Sequence, residues 1–244
     1  MLGELFLLLF ITLIAFLALA FSFSQPTNYS KPNPNIEEQQ ETNQWTKILT
    51  EINAFSKSRP ASLVQVKEWV TKQNYPDPLS GIDLTGIDKK TLLSKRIDNT
   101  ALNELATAHG DTSQWKDYTP LWTSLDGNCF FHTFSVMLVG NESLSDQLRV
   151  AVCLEVMKSN SLTEIHQHLP IMSRDKEWQL GDYVIYIAYL LKRPITLVYY
   201  WENKDITWLT FDITDNDSEE TNLYQEPWVI YHTRGIHFVP LVKK

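Results

Sequence analysis

The chain has 244 residues, of which 43% are hydrophobic and 20% are charged, and its formal net charge is −8. This length and composition are typical of one globular domain with an extension. The acidic balance and the lack of a Lys/Arg cluster argue against a nucleic-acid ligand, because a phosphate backbone binds a basic surface. With only Cys129 and Cys153, the chain cannot be a disulfide scaffold, and no Cys/His grouping has the spacing of a structural zinc site.

The N-terminus carries a long apolar run. Residues 5–23 contain no charge and no proline, and their number is close to the about 20 residues that cross a bilayer as a helix. Two interpretations of residues 1–23 stay open. One is a signal peptide, for which Ala18-Leu19-Ala20 offers a cleavage site, and the other is an uncleaved anchor, which we expect. The sequence thus predicts an N-terminal hydrophobic helix that attaches the protein to a membrane.

Two segments separate this run from the C-terminal half. Residues 24–44 are rich in Pro, Asn, Gln and Glu and cannot bury enough apolar surface to fold, so we predict a disordered linker. Residues 45–119 contain three short amphipathic patterns, which predict a helical arm. These patterns lie at 45–55, 62–70 and 99–108.

In the C-terminal half, helices are predicted first and strands afterwards. Apolar residues follow Cys129 at helical spacings as far as Gly140, which is a typical glycine just beyond a helix. Further helices are predicted to begin near Ser143 and near Gly181. Four β-rich runs close the chain, at 194–201, 206–213, 227–233 and 237–242. This order predicts an α+β domain with a mainly antiparallel, meandering sheet.

Cys129 opens the first of these helices, directly after Asp126, Gly127 and Asn128. A thiol attacks as its thiolate, and the N–H groups at a helix N-terminus favour that anion. The three preceding residues suit a tight turn whose backbone N–H groups, together with that of Cys129, hold a developing oxyanion. We therefore expect Cys129 to be a nucleophile for acyl transfer rather than only a small core residue.

The candidate general base is His237, at the start of the last strand-like run. A strand start and a helix start can meet across one site, as in cysteine-histidine hydrolases. Asp126 also suits a turn or capping role. Cys153 lies inside an apolar helical pattern and is expected to be structural. The remaining histidines have no partner pattern and receive no role; they are His132, His166, His168 and His232.

Four blocks of the C-terminal half, in this order, resemble the ovarian-tumour (OTU) family of cysteine peptidases. They are DGNCFFHTFS, GNESLSDQLRVAVCLEVM, EWQLGDYVIYIAYLLKRPITLVYYW and IHFVPLV. The resemblance covers about residues 120–244 and is closest to OTU domains in animal proteins related to vertnin and to mobile elements. It implies a papain-like OTU cysteine-protease fold for a catalytic domain over these residues.

The resemblance implies a deubiquitinase, which hydrolyses the (iso)peptide bond after the C-terminus of ubiquitin or a ubiquitin-like modifier. By position, Cys129 is the nucleophile and His237 the general base and acid, and the loop on the oxyanion side is Asp126, Gly127 and Asn128. No metal and no organic cofactor are implied. Many members have Asp or Asn two residues after the histidine to orient it, where this chain has Val239. The alternative is therefore a weak or inactive OTU-fold module that binds ubiquitin.

These expectations also predict a location. A reactive thiol and few cysteines suit a reducing compartment, and ubiquitin conjugates are cytosolic. Lys31 follows the apolar run, and no Lys or Arg precedes it, which favours a cytosolic C-terminal side. We expect a membrane-anchored protein with a cytosolic catalytic domain. The alternative is a secreted or lumenal protein after signal cleavage, in which Asn28, Asn141 and Asn216 are acceptable glycosylation sites.

Overall fold

Eight helices and five strands are formed by the residues that the computed structural model describes, which belong to one unit, residues 41–244. The described residues are 44–108, 115–158, 161–174, 183–200, 206–211, 226–233 and 237–244. The helices are α1 (Gln44–Lys57), α2 (Leu63–Gln73), α3 (Lys89–Leu93), α4 (Asn99–Thr107), α5 (Cys129–Val139), α6 (Ser145–Lys158), α7 (Leu162–Met172) and α8 (Val184–Leu191). The strands are β1 (Tyr118–Pro120), β2 (Ile195–Tyr200), β3 (Ile206–Phe211), β4 (Trp228–Thr233) and β5 (His237–Lys243).

The helix ends follow from local sequence. Ser62, Asp88 and Asp98 each cap the helix that follows, because the side-chain oxygen accepts the N–H three residues ahead. Helix α5 begins differently, since Asn128 makes no side-chain cap hydrogen bond there. It ends at Gly140, whose φ of 78° is the left-handed conformation that glycine adopts most easily. Cys129 is the first residue of this helix, directly after its N-cap residue.

The sheet is mixed, with the strand order β1-β5-β4-β2-β3. Three neighbouring pairs are antiparallel, whereas β2 and β4 are parallel. The predicted α+β class is confirmed. The predicted meander is wrong, because β3 lies on one edge of β2 and the chain returns to place β4 on the other edge. Strand β5 lies between β4 and the short β1.

Both faces of the sheet are covered, so the strands alternate between two apolar clusters. On one face Phe238 joins Phe130 of α5 in the main core. On the other face Val239 packs with Ala101 and Leu105 of α4. This period of two is that of a pleated strand. Helix α5 is buried along residues 129–138, including the polar residues His132, Thr133 and Ser135.

Most of the predicted elements are present in the described residues. Helices α7 and α3 and strand β1 are additions that the sequence patterns did not reveal, and α7 contains Pro170, a residue that usually argues against a helix. Helix α1, which lies in the predicted arm, packs into the same core as α5 and α6 through Ile48, Leu49 and Ile52. The boundary between residues 119 and 120 stays a prediction.

The membrane anchor and the location derived from it are corrected. Among the described residues, no helix is long and apolar enough to cross a membrane. The longest of them have 14 residues, or about 21 Å at 1.5 Å per residue, whereas the hydrocarbon core is about 30 Å thick. The predicted hydrophobic helix over 1–23 and the linker over 24–44 lie outside the described residues, Gln44 excepted.

Candidate active site

Cys129 lies where the start of α5 meets the start of β5. The rings of Phe130 and Phe238 pack edge to face with their centroids 5.2 Å apart, and this contact holds the two starts together. The thiol is 1% exposed. Backbone hydrogen bonds from Phe238 and Phe130 reach its sulfur. The predicted nucleophile therefore lies beside the backbone of the residue that follows His237.

The thiol is not preformed as a thiolate. The pKa of Cys129 is raised to about 11, chiefly by burial; the backbone hydrogen bonds from Phe238 and Phe130 oppose this shift, and the nearby charge of Asp126 adds to it. The expectation of a lowered pKa at this helix start is thus wrong, because desolvation of the anion outweighs the helix-end N–H groups. At neutral pH the group is a thiol, so an attack needs a base that removes its proton.

The nucleophile loop, residues 123–128, is held from the inside by Arg149 of α6. Its guanidinium is fully buried, stacks 4.6 Å from the ring centre of Phe131, and donates to the Gly127 carbonyl at 3.3 Å and to the Asn128 side chain. Gly127 has φ 84°, which a residue with a side chain adopts only with strain. The loop conformation therefore depends on one glycine and one buried cation.

The backbone N–H groups of this loop are not equivalent. The Asn128 N–H donates to the Asp126 carboxylate at 3.0 Å. That N–H is therefore committed to the loop and is not available for an oxyanion. Of the donors that the sequence suggested, the N–H of Cys129 at the start of α5 remains the best placed. Ser124 fixes the other end of the loop, since its N–H and hydroxyl donate to Glu142 at 2.6 and 2.7 Å.

His237 opens β5 and is 7% exposed. Its Nε2 lies 3.3 Å from the Thr123 hydroxyl and 3.7 Å from the Asp98 carboxylate. The Thr123 hydroxyl donates its own hydrogen to the Phe238 carbonyl at 2.8 Å, so toward His237 its oxygen accepts. The Nε2 atom therefore carries a hydrogen. Nδ1 is buried and has no hydrogen-bond partner among the described residues, so in a neutral ring its lone pair is the available base.

Burial also sets the protonation of His237. Desolvation lowers the pKa of this imidazole, the Asp98 carboxylate opposes that shift, and the neighbouring His132 has a smaller lowering effect. Glu142 and Asp126 act in the same direction as Asp98. A lowered pKa leaves the ring neutral at neutral pH, which is the form that can accept a proton.

Asp98 is the acidic residue beside His237 that the sequence did not reveal. Val239, two residues after the histidine, points into the apolar cluster with Ala101, away from any polar partner. Asp98 instead caps α4 with one oxygen, which accepts the Ala101 N–H at 2.9 Å, and turns the other toward His237. The two residues are 139 positions apart, 237 minus 98, and no local motif marks Asp98. Sequence reasoning missed it because it comes from the segment taken as a separate arm.

Asp126 does not reach His237 in hydrogen-bond contact. Its carboxylate accepts a hydrogen bond from the Nε2 of His132 at 2.9 Å. His132 lies on α5, one helical turn after Cys129. His132 had received no role from the sequence. The structure therefore places Cys129, Gly127, Asn128 and His237 in one site, and gives Asp126 a place in the loop rather than in line with the histidine.

Comparisons with known proteins found one matching family model and several similar solved structures. Residues 120–180, a quarter of the chain, match the family model of the vertnin OTU domain. This stretch holds the nucleophile loop, α5, α6 and α7. The predicted resemblance to the OTU family, and to vertnin within it, is confirmed. No curated protein matches the chain.

Solved structures of OTU domains are also similar to this chain. The viral OTU domain protease from Farallon virus has 16% identity and a TM-score of 0.42, covering 52% of this chain and 85% of that one. The OTUD1 OTU domain has 14% identity and a TM-score of 0.42, covering 58% and 98%. The Hazara virus OTU, solved bound to ubiquitin, has 17% identity and a TM-score of 0.39, covering 52% and 82%.

The raised pKa of Cys129 predicts slow alkylation at neutral pH. With a pKa of about 11, the rate constant with iodoacetamide should rise about tenfold per pH unit from pH 7 to 10, because only the thiolate reacts. Intact-mass spectrometry follows the reaction, and Cys129→Ser leaves only the fully buried Cys153 as control. A rate that is already constant near pH 7 would show a preformed thiolate and contradict this description.

Proposed function

We propose that the protein is a cysteine-type deubiquitinase, which hydrolyses the (iso)peptide bond after the C-terminus of ubiquitin or a ubiquitin-like modifier. One observation carries the chemistry. The buried Nδ1 of His237 has no partner among the described residues, while Thr123 and Asp98 face the opposite nitrogen beside the start of α5. This is the arrangement of an oriented base next to a thiol that needs one.

The reaction follows from these positions. His237 accepts the Cys129 proton at Nδ1, and the thiolate attacks the carbonyl carbon of the scissile bond. The N–H of Cys129 stabilises the oxygen that becomes negative. The imidazolium then returns its proton to the leaving amine, which leaves a thioester between Cys129 and the modifier. Water, deprotonated by His237, hydrolyses the thioester and restores the thiol.

Asp98 contributes in the charged states of this cycle. Whenever His237 is an imidazolium, its positive charge lies beside the Asp98 carboxylate, 3.7 Å from Nε2. The carboxylate is itself buried, so the attraction is screened less than at a surface. Asp98 therefore favours the ion pair that precedes attack and keeps the ring turned with Nδ1 free. It is a positioning residue rather than one that touches the substrate.

The substrate class rests on the family match and on the surface around the site. The match over 120–180 covers the nucleophile loop and the helix that carries Cys129. Three apolar side chains beside this loop are exposed, Ile97, Trp122 and Leu125, the last at 51%. Exposed apolar groups around a catalytic loop favour a protein substrate. Because Cys129 is nearly inaccessible, the acyl end of that substrate must be a narrow, extended chain.

The alternative, a module that binds ubiquitin without cleaving it, was motivated by Val239. That motivation weakens, because Asp98 and Thr123 face the nitrogen that a residue at position 239 would orient. We therefore favour the active enzyme.

Replacing the nucleophile tests the proposal first. Cys129→Ala should abolish cleavage of a fluorogenic ubiquitin amide and of ubiquitin dimers, because no other group in the site forms the thioester. Binding of ubiquitin should persist, measured by titration calorimetry. Cys153→Ala is the matched control, since Cys153 is a fully buried cysteine of α6 and not part of the loop, and it should keep activity. Undiminished cleavage by a folded Cys129→Ala protein would refute the mechanism.

The base is tested by His237→Ala. The rate constant kcat should fall at least about 10²-fold, the usual effect of losing a positioned acid-base group. His166→Ala serves as control, because His166 lies on α7, where its Nε2 bonds the Pro60 carbonyl at 2.9 Å. Circular dichroism checks that both variants fold. A folded His237→Ala enzyme with wild-type kcat would disprove the assignment.

The role of Asp98 is tested by Asp98→Asn, which keeps a cap for α4 but removes the charge. Because Asp98 raises the pKa of His237, its loss should lower that pKa further and move the acid limb of the kcat/KM profile to lower pH. The value of kcat should fall about tenfold, the change that corresponds to one pKa unit of interaction with the imidazolium.

Asp88→Asn is the matched control, since Asp88 caps α3 through the Thr91 N–H but does not contact His237. It should leave the pH profile unchanged. A loss of activity in Asp98→Asn with the acid limb in its original place would show that Asp98 acts only through the fold.

A further inference from the structure

We infer that Glu142 is a positioning residue, which holds Ser124 at the start of the nucleophile loop and thereby keeps the neighbouring Thr123 in place against His237. The inference rests on the proposed function. Both oxygens of the Glu142 carboxylate take part. One accepts the Ser124 N–H at 2.6 Å, and the other accepts the Ser124 hydroxyl at 2.7 Å. A charged acceptor and short distances make these the stronger kind of hydrogen bond.

The turn between α5 and α6 places this carboxylate, and hydrogen bonds attach the turn to both helices. On the side of α5, the Ser135 hydroxyl donates to the Asn141 carbonyl at 2.6 Å and accepts the Leu144 N–H at 2.9 Å. On the side of α6, the Ser145 hydroxyl donates to the Glu142 carbonyl at 2.7 Å. Glu142 therefore projects from backbone that is itself bonded to the two helices.

The bonds of Ser124 act on the residue that orients the base. Ser124 directly follows Thr123, whose hydroxyl lies 3.3 Å from Nε2 of His237. Directly before Thr123, the Trp122 N–H donates to the Arg96 carbonyl at 2.8 Å. Thr123 is thus flanked by two backbone amides that are each bonded to a residue outside the loop. Loss of the Glu142 carboxylate would remove one of these two anchors.

The other end of the loop has anchors of its own. Arg149 donates to the Gly127 carbonyl and to the Asn128 side chain, and Asp126 bonds His132. These contacts hold the residues that directly precede the thiol. Removal of the Glu142 carboxylate should therefore disturb the end of the loop that faces the base, while the end that carries the nucleophile stays attached.

The test measures kcat toward a fluorogenic ubiquitin amide in two single variants and their combination. Glu142→Ala should lower kcat about tenfold, the low end for hydrogen bonds to a charged group, since the side chain of Glu142 is 26% exposed. Ser124→Ala should lower kcat only about threefold, because its backbone N–H keeps the carboxylate as acceptor. The double variant should be no slower than Glu142→Ala, because without the carboxylate the hydroxyl has no bond to lose. Single effects that multiply in the double variant would overturn the inference, as would wild-type kcat in Glu142→Ala.

Glu142→Gln separates the hydrogen bonds from the charge. The amide oxygen can accept the Ser124 N–H, and the amide NH₂ can donate to the Ser124 hydroxyl oxygen. The value of kcat should therefore stay within about threefold of the wild type. A Gln variant as slow as Glu142→Ala would show that the reaction needs the negative charge rather than these bonds, and would overturn the inference. Glu155→Ala is the matched control, because Glu155 is 29% exposed and pairs with Lys158 of its own helix. It should keep wild-type kcat.

A second measurement does not depend on activity. Amide hydrogen exchange is followed by NMR in the full-length Cys129→Ala protein, with and without Glu142→Ala. The Ser124 amide should exchange at least about tenfold faster without the carboxylate, whereas the Trp122 amide keeps its acceptor and should change little. Equal exchange of the Ser124 amide in both proteins would overturn the inference. A Ser124 amide that Glu142 protects, in a protein whose wild type cleaves no ubiquitin substrate, would overturn the proposed function instead.

Discussion

The site depends on the contact between the first turn of α5 and the first residues of β5. Phe130 and Phe238 meet edge to face across this junction, and the Phe238 backbone reaches the sulfur of Cys129. Because Phe238 turns its side chain into the core, the neighbouring His237 faces the opposite side of the strand, where α4 supplies Asp98. The contact between Phe130 and Phe238 thus brings the starts of α5 and β5 together, and with them Cys129 and His237. Asp98 comes from α4, on the other face of the sheet. Loss of this contact would separate all three.

Burial gives the site its chemical character. It keeps Cys129 as a thiol and His237 as a neutral ring, so the resting pair carries no net charge. Charge appears only when the proton moves, and the buried Asp98 then lies beside the imidazolium. A neutral resting thiol is less exposed to oxidation and unselective alkylation than a thiolate. The neutral resting pair of Cys129 and His237 therefore becomes reactive only when a bound substrate can be attacked by the thiolate.

The sequence predicted what is encoded locally and missed what the tertiary fold brings in. The glycine turn and the apolar helix after it are consecutive, so Cys129, Gly127 and the end of α5 at Gly140 could be predicted from neighbouring residues. Asp98 could not, because it is far from His237 in the sequence and also serves as an ordinary helix cap. His132 looked like one more residue of a buried helix. The strand order was missed for the same reason, since the parallel pairing of β2 with β4 leaves no local pattern.

The central claim, that Cys129 attacks the C-terminal end of ubiquitin, is tested most directly by a ubiquitin probe with a C-terminal electrophile. The full-length protein is incubated with the probe, and intact-mass spectrometry with peptide mapping locates the adduct. The account predicts one ubiquitin adduct, on Cys129, which is absent from Cys129→Ala and retained in Cys153→Ala. No adduct on a folded protein, under conditions in which the probe labels a known deubiquitinase, would contradict the account, as would an adduct on Cys153.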